Sequence, residues 1–121
     1  MHVLISGVLP LGPTDIVPSV VTGPLNQSVD EGTNVDFFCK VKGSPEPSVS
    51  WFLNDDDFSL QSTARISITQ TGLTSRLTIS NVTVNDKGMY KCAATSKIGT
   101  ASEEAELKVN SKFFVVERSQ P

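Results

Sequence analysis

The chain has 121 residues, with 10 Lys and Arg against 13 Asp and Glu and a formal net charge of −3. That is the length of a single domain, whose small core gains from a covalent staple. With 38% hydrophobic and 19% charged residues it is neither a disordered polymer nor a membrane protein, and the acidic balance argues against nucleic acid, whose phosphates need a basic patch.

The N-terminal "MHVLISGVLPLG" lacks a basic n-region, and Gly7 and Pro10 break its apolar stretch. It therefore does not read as a signal peptide. Residues 1–13 read as a leader, flexible or appended during expression, and any genuine signal would have been removed or would lie upstream. No apolar run approaches the roughly 20 residues that span a bilayer, so direct membrane insertion is not expected.

Beyond the leader, turn signals recur about every 8–12 residues and the segments between them alternate apolar and polar, the all-β pattern. "NVDFFCKV" puts Val35, Phe37, Cys39 and Val41 on one face, and "PSVSWFL" does the same for Val49, Trp51 and Leu53. "ARISI" contributes Ile66 and Ile68, and "SRLTISNV" contributes Leu77 and Ile79. "GMYKCAA" aligns Tyr90, Cys92 and Ala94, and "EEAELKV" aligns Ala105, Leu107 and Val109. "KGSPEP", "LNDDD", "TQTG", "NDKG" and "SKIGT" supply the turns. No window sustains a helical period, and no internal repeat is present.

The two cysteines are Cys39 and Cys92. An even count is compatible with a disulfide. Metal binding is poorly supported, because neither lies in a CxxC and the single histidine is His2, in the leader. A catalytic cysteine lacks a histidine base in the rest of the chain. Pairing is the favoured reading.

Both cysteines and the single tryptophan fall on the inward sets of their strands. Two sheets pack about 10 Å apart, whereas a disulfide needs Cα atoms about 5.5–6 Å apart, so a bridge would pinch the sheets together. Trp51 is then placed to cover it. Closing such a loop is worth roughly 4 kcal/mol in the chain-entropy treatment. In "NDKGMYKC", Tyr90 faces inward, and its hydroxyl needs a partner from the preceding turn, the arrangement called a tyrosine corner. Gly88 lets the chain turn at low steric cost. Asp86 can accept from turn amides and can also pair with Arg65.

Cys39, Trp51 twelve positions on, "LTIS" around Leu77, and "DKGMYKC" together resemble the immunoglobulin superfamily. "VDEGTNVDFFCKVKGSPEPSVSWF" is similar to the A′–B–C run of its intermediate (I-set) type, and "CAATSKIGTASEEAELKV" to its F–G hairpin. The resemblance covers residues 14–110. It implies a two-sheet antiparallel Greek-key sandwich of about eight or nine short strands, a Cys39–Cys92 disulfide and a buried Arg65–Asp86 contact. "NDDDFSL" is short for a variable-type C′–C″ hairpin, which favours the I-set. The tail 111–121, "SKFFVVERSQP", has no counterpart in the pattern. It reads as a linker or the start of a next element, with an extra strand that pairs with a sheet edge or with another chain as the alternative.

Little here suggests chemistry. Asp55–Asp57 lack the spacing of a calcium loop and read as a solvated turn. Glu104 and Glu106 share an outward strand face with no pocket implied, and Glu103 adds nothing to a carboxylate pair. GxSxG, P-loop and HExxH are all absent, so neither catalysis nor a cofactor is expected. Two sequons, Asn26-Gln27-Ser28 and Asn81-Val82-Thr83, are candidate N-glycosylation sites.

The expected function is that of a non-catalytic module for protein–protein interaction, a unit of an adhesion or receptor ectodomain in a multidomain protein at the cell surface. The alternative is a mechanical module of an intracellular, sarcomeric filament protein, since "AELKV" resembles the titin and myosin-light-chain-kinase group. The expected partners are proteins, neighbouring immunoglobulin-like domains among them; homophilic association is left open. No binding face is assigned. Phe38 and Phe52, outward by alternation, and the Phe113–Phe114 pair have the greatest contact potential, though isolated surface apolar residues are ordinary.

Overall fold

The computed structural model describes residues 12–111. Eight strands form two sheets: β1 (Ile16–Thr22), β2 (Gln27–Asp30), β3 (Val35–Ser44), β4 (Ser48–Leu53), β5 (Ile66–Thr71), β6 (Thr74–Ile79), β7 (Gly88–Ser96) and β8 (Gly99–Asn110). One 3-10 turn, Val84–Asp86, precedes β7. The first sheet runs β1-β3-β6-β5 and the second β2-β8-β7-β4. All pairings are antiparallel except β2 with β8, which run parallel from Gln27↔Leu107 to Asp30↔Asn110.

That parallel pair follows from a change of sheet at Gly23-Pro24. A proline has no N–H to give a ladder, and a Cβ on Gly23 would lie 3.0 Å from Cβ of Glu103. The chain therefore leaves β1 there, crosses to the second sheet and begins β2. The Asn26 carboxamide oxygen accepts the Glu106 N–H at 2.8 Å, one residue before ladder pairing starts. Gln27 Nε2 donates to the Asp36 carbonyl at 2.7 Å on the sheet it has just left.

The core is the sum of the inward sets. Val35, Phe37, Cys39 and Val41 of β3 face Trp51, Tyr90, Cys92, Ala94, Ala105 and Leu107 of the second sheet; Leu77 and Ile79 of β6 join them, and Val82, beyond the end of β6, completes the core from outside the strands. Phe37 stacks on Tyr90 with centroids 5.2 Å apart and lies tilted to Trp51 at 6.3 Å. Each such aromatic pair adds about 0.5–1.5 kcal/mol beyond the area it buries. The turn expected at "TQTG" falls on its last residue: β5 continues to Thr71, and Gly72, at φ +60°, begins the reversal.

No strand intervenes between β4 and β5. The segment 59–63 closes that side of the sandwich: Leu60 N–H donates to the Trp51 carbonyl at 2.7 Å, and the hydroxyls of Ser62 and Thr63 accept from Ile68 and Ile66. Both sheet edges on this side are thereby capped, which blunts unwanted strand pairing.

Candidate functional site

Cys39 on β3 and Cys92 on β7 form a disulfide between the two sheets, with Cα atoms 6.5 Å apart. Both are fully buried. Trp51 is the ladder partner of Cys92 on the neighbouring strand, so its indole lies beside the bridge. The indole N–H donates to the Ser75 hydroxyl at 2.9 Å, and that hydroxyl donates onward to the Thr69 carbonyl. Ser75 is the ladder partner of Cys39 on β6. One plane through the molecule thus carries Ser75, Cys39, Cys92 and Trp51, joined by a covalent bond and a buried hydrogen bond.

A second constellation sits at the entry to β7. Tyr90 Oη donates to the backbone carbonyl of Asp86. Burial, and after it the Asp86 charge, push the phenol up to about 12. The Asp86 carboxylate accepts the Thr83 N–H at 2.8 Å, while Thr83 Oγ1 accepts from Asn85, a reciprocal capping box. Arg65, just ahead of β5, grips the same carboxylate with Nη1 at 3.0 Å and Nη2 at 2.9 Å. Burial pushes the carboxyl upward, but the Arg65 and Thr83 hydrogen bonds outweigh it and hold Asp86 below the usual carboxylate range.

The expectation of a buried Arg65–Asp86 contact needs correction: the carboxylate side chain is 12% exposed but that of Arg65 is 43%. The guanidinium bonds the Ser80 and Asn81 carbonyls and stays partly in water, as a long charged side chain does when its head can reach the surface. Gly88, at φ +148°, has a packing reason beyond the turn. A Cβ there would fall 2.5 Å from Asn54 Oδ1 and 2.9 Å from Leu53 Cδ1.

The two sequons sit differently. Asn81 is exposed and at φ +53°; its N–H bonds Asn34 Oδ1. Asn26 is exposed too, yet its Oδ1 is committed to Glu106. Phe38 is 49% exposed beneath the Arg76 guanidinium, 5.6 Å from the ring centroid. Phe52 is half-buried under the Lys91 ammonium, 5.3 Å away. Phe113 and Phe114 lie outside the described residues. Asp55 pairs with Lys91 at 3.3 Å, and Glu104 and Glu106 are exposed. Glu103 faces the opposite way, against Gly23. Among the described residues, no three His, Cys, Asp or Glu side chains are grouped to hold a metal ion.

Ser75 escaped the sequence reading. Its signal was available: residues 75, 77 and 79 share the inward set, and a lone hydroxyl among apolar neighbours marks the partner a buried indole requires. Asp36, Arg76 and Thr78 form another unforeseen cluster, outward on β3 and β6. Arg76 bonds both carboxylate oxygens and Thr78 one; these bonds, Arg76 foremost, lower the Asp36 pKa.

The family model of the immunoglobulin I-set domain matches residues 18–109. Cell adhesion molecule DSCAM of Gallus gallus is 35% identical over 98 residues, covering 78% of this chain and 5% of that protein. The smooth-muscle myosin light chain kinase of Gallus gallus is 34% identical over 104 residues, covering 86% of this chain and 5% of that protein. The chain therefore spans a small fraction of these relatives. A solved complex of titin M10 with obscurin-like 1 contains a chain that superposes with a TM-score of 0.77 at 25% identity, covering 84% of this chain and 100% of the other. The sandwich is thus shared by cell-surface and muscle proteins alike. This chain belongs to the immunoglobulin I-set domain family.

Proposed function

We propose that residues 14–110 form a non-catalytic protein-interaction module of an adhesion or receptor ectodomain, exposed outside the cell as one unit of a multidomain protein. The observation that carries this reading is the inter-sheet disulfide, since such bonds form and persist in oxidising compartments. Its 53-residue separation is worth about 4 kcal/mol of loop-closure entropy. The two sequons and the similarity to an adhesion molecule support the same setting. Asn81, exposed in a turn, is the better-presented acceptor for glycan; Asn26 is the second.

The test is to produce the chain in a secreting eukaryotic cell and weigh it before and after glycosidase treatment. Glycan is expected at Asn81, lost in Asn81→Asp; Asn26→Asp removes the other sequon while keeping the acceptor for Glu106. A secreted protein that carries no glycan, holds free thiols and melts unchanged in reductant counts against the surface reading. It favours the second one, a mechanical module of an intracellular filament protein. That alternative is supported by the similarity to myosin light chain kinase and titin, and by the β2–β8 ladder, whose parallel hydrogen bonds tie the start of the domain to its end.

A further inference from the structure

Where β1 leaves the first sheet, it opens a groove. The departing chain, Thr22 to Gln27, forms one wall and Asp36 to Phe38 of β3 the other. Pairing of β1 with β3 ends at Thr22↔Lys40, so this stretch of β3 is paired with β6 on one side and has no strand on the β1 side. The lining is apolar at its centre, with Leu25 76% and Phe38 49% exposed. Its rim is basic. Arg76 covers Phe38, and Lys40 and Lys42 follow Phe38 on the same outward face of β3. Asp36 lines the groove as well, but Arg76 and Thr78 hold its carboxylate. Neither Lys40 nor Lys42 has an ion-pair partner among the described residues. An occupant with an apolar anchor beside unpaired carboxylates would complement the groove.

The chain itself carries such a segment. The turn after β4 reads Asn54-Asp55-Asp56-Asp57-Phe58, and Phe58 is the most exposed large apolar side chain among the described residues, at 81%. The turn is held in place. Asn54 and Asp55 take φ of +54° and +56°, Asp56 N–H bonds the Leu53 carbonyl, and Asn54 N–H bonds the Met89 carbonyl. Asp55 is drawn to Lys91, whereas Asp56 and Asp57 have no cationic partner among the described residues. The Asp56 carboxylate also accepts the Phe58 N–H at 3.2 Å, and a turn backbone held in this way lowers the ordering cost of docking.

The two surfaces lie on opposite sides of the sandwich. The groove belongs to the β1 edge of the first sheet, and the acidic turn hangs from β4, the far edge of the second. One copy cannot satisfy itself. We propose that a second copy of this chain is the occupant: its Phe58 enters the groove between Leu25 and Phe38, with Asp56 and Asp57 facing Lys40 and Lys42. The association is head-to-tail and heterologous, so a pair keeps one free groove on one copy and one free turn on the other, and contacts continue from copy to copy. The contact is small and belongs with weak encounter interfaces. This inference deepens the protein-interaction reading above and rests on it.

Sedimentation equilibrium of the full chain tests it. The weight-average mass is expected to rise above the 13.0 kDa of one copy across about 10 µM to 1 mM, and less so in high salt, which screens exposed charge. Phe58→Ser, and separately Leu25→Glu with Lys40→Glu, each weaken association about tenfold or more; all three side chains are exposed, so the fold tolerates the changes. Mixing the two variants restores a one-to-one complex and nothing larger, because only one groove and one turn remain intact. Wild type that stays monomeric over that range overturns the proposal. So does association that survives Phe58→Ser, or a mixture that fails to pair. Binding of only a foreign acidic peptide bearing an aromatic residue also overturns it, assigning the groove to another occupant. None of these failures touches the glycan and thiol test of the ectodomain reading.

Discussion

The Trp51 indole N–H donates to the hydroxyl of Ser75 across the sandwich, 2.9 Å apart, with both residues buried. A donor buried without a partner costs its full desolvation penalty, about 1–3 kcal/mol. Ser75→Ala removes only one oxygen, yet it is expected to destabilise by that amount in urea titrations. Trp51→Phe in the Ser75→Ala background is expected to cost less than Trp51→Phe alone, because the stranded donor is gone. Equal costs in the two backgrounds would show that the hydrogen bond contributes nothing.

The Arg65–Asp86 pair is asymmetric, and so are its predicted deletions. Arg65 is a surface cation, so Arg65→Met is expected to cost only about 0.5–1 kcal/mol. Asp86→Ala loses the cap at Thr83 as well and leaves the part-buried Thr83 amide open, for about 2–3 kcal/mol. Chemical denaturation at neutral pH separates the two.

The same carboxylate sets an acid limit. Its folded pKa is depressed below the reference 3.8, with burial opposing and the Arg65 and Thr83 hydrogen bonds prevailing. Its stabilisation is therefore fully present above that reference value and is lost as pH falls through the folded value. Asp36, lowered chiefly by Arg76, acts in the same direction but more weakly, being more exposed. Asp86→Asn is expected to be less stable than wild type at neutral pH and to show a flatter decline below about pH 4. A wild-type decline of unchanged steepness in Asp86→Asn would exclude this carboxyl as the cause.

Tyr90 sets the opposite limit. Its phenol is raised from 10.0 to about 12, by burial first and the Asp86 charge second. A raised folded pKa means that the contribution is whole below the unfolded value and disappears as pH climbs from 10 towards 12. Because the chain has 1 tyrosine, tyrosinate absorbance reports this group alone. Ionisation is expected to coincide with unfolding. Tyr90→Phe loses the bond to the Asp86 carbonyl, about 1 kcal/mol, and with it the alkaline sensitivity due to this group.

Two glycines make a controlled pair. Gly72 sits at φ +60°, and a methyl added there would meet no atom within 4 Å, whereas Gly88 at φ +148° would press a methyl against Asn54 and Leu53. Gly72→Ala is expected to cost about 1–2 kcal/mol from backbone strain alone. Gly88→Ala adds overpacking and is expected to cost about 3 kcal/mol or more. Thermal melts of the two variants provide the comparison.

Strand alternation alone determined which strand side chains face the core. A period of two admits one inward set per strand, and Phe37, Cys39, Trp51, Leu77, Tyr90 and Cys92 each fell on it. The spacing of Asp86, Gly88 and Tyr90 likewise marked the corner, because a buried phenol needs a nearby backbone acceptor. Tertiary structure alone decided the contacts between strands distant in the chain. Alternation says that Ser75 faces inward but not that it meets Trp51. It says that Phe38 faces outward but not that β1 departs beside it to leave a groove. The parallel ladder of β2 on β8, the commitment of Asn26 to Glu106 and the half-solvated seat of Arg65 all depend on where the two sheets lie against each other, and packing across the whole sandwich sets that placement.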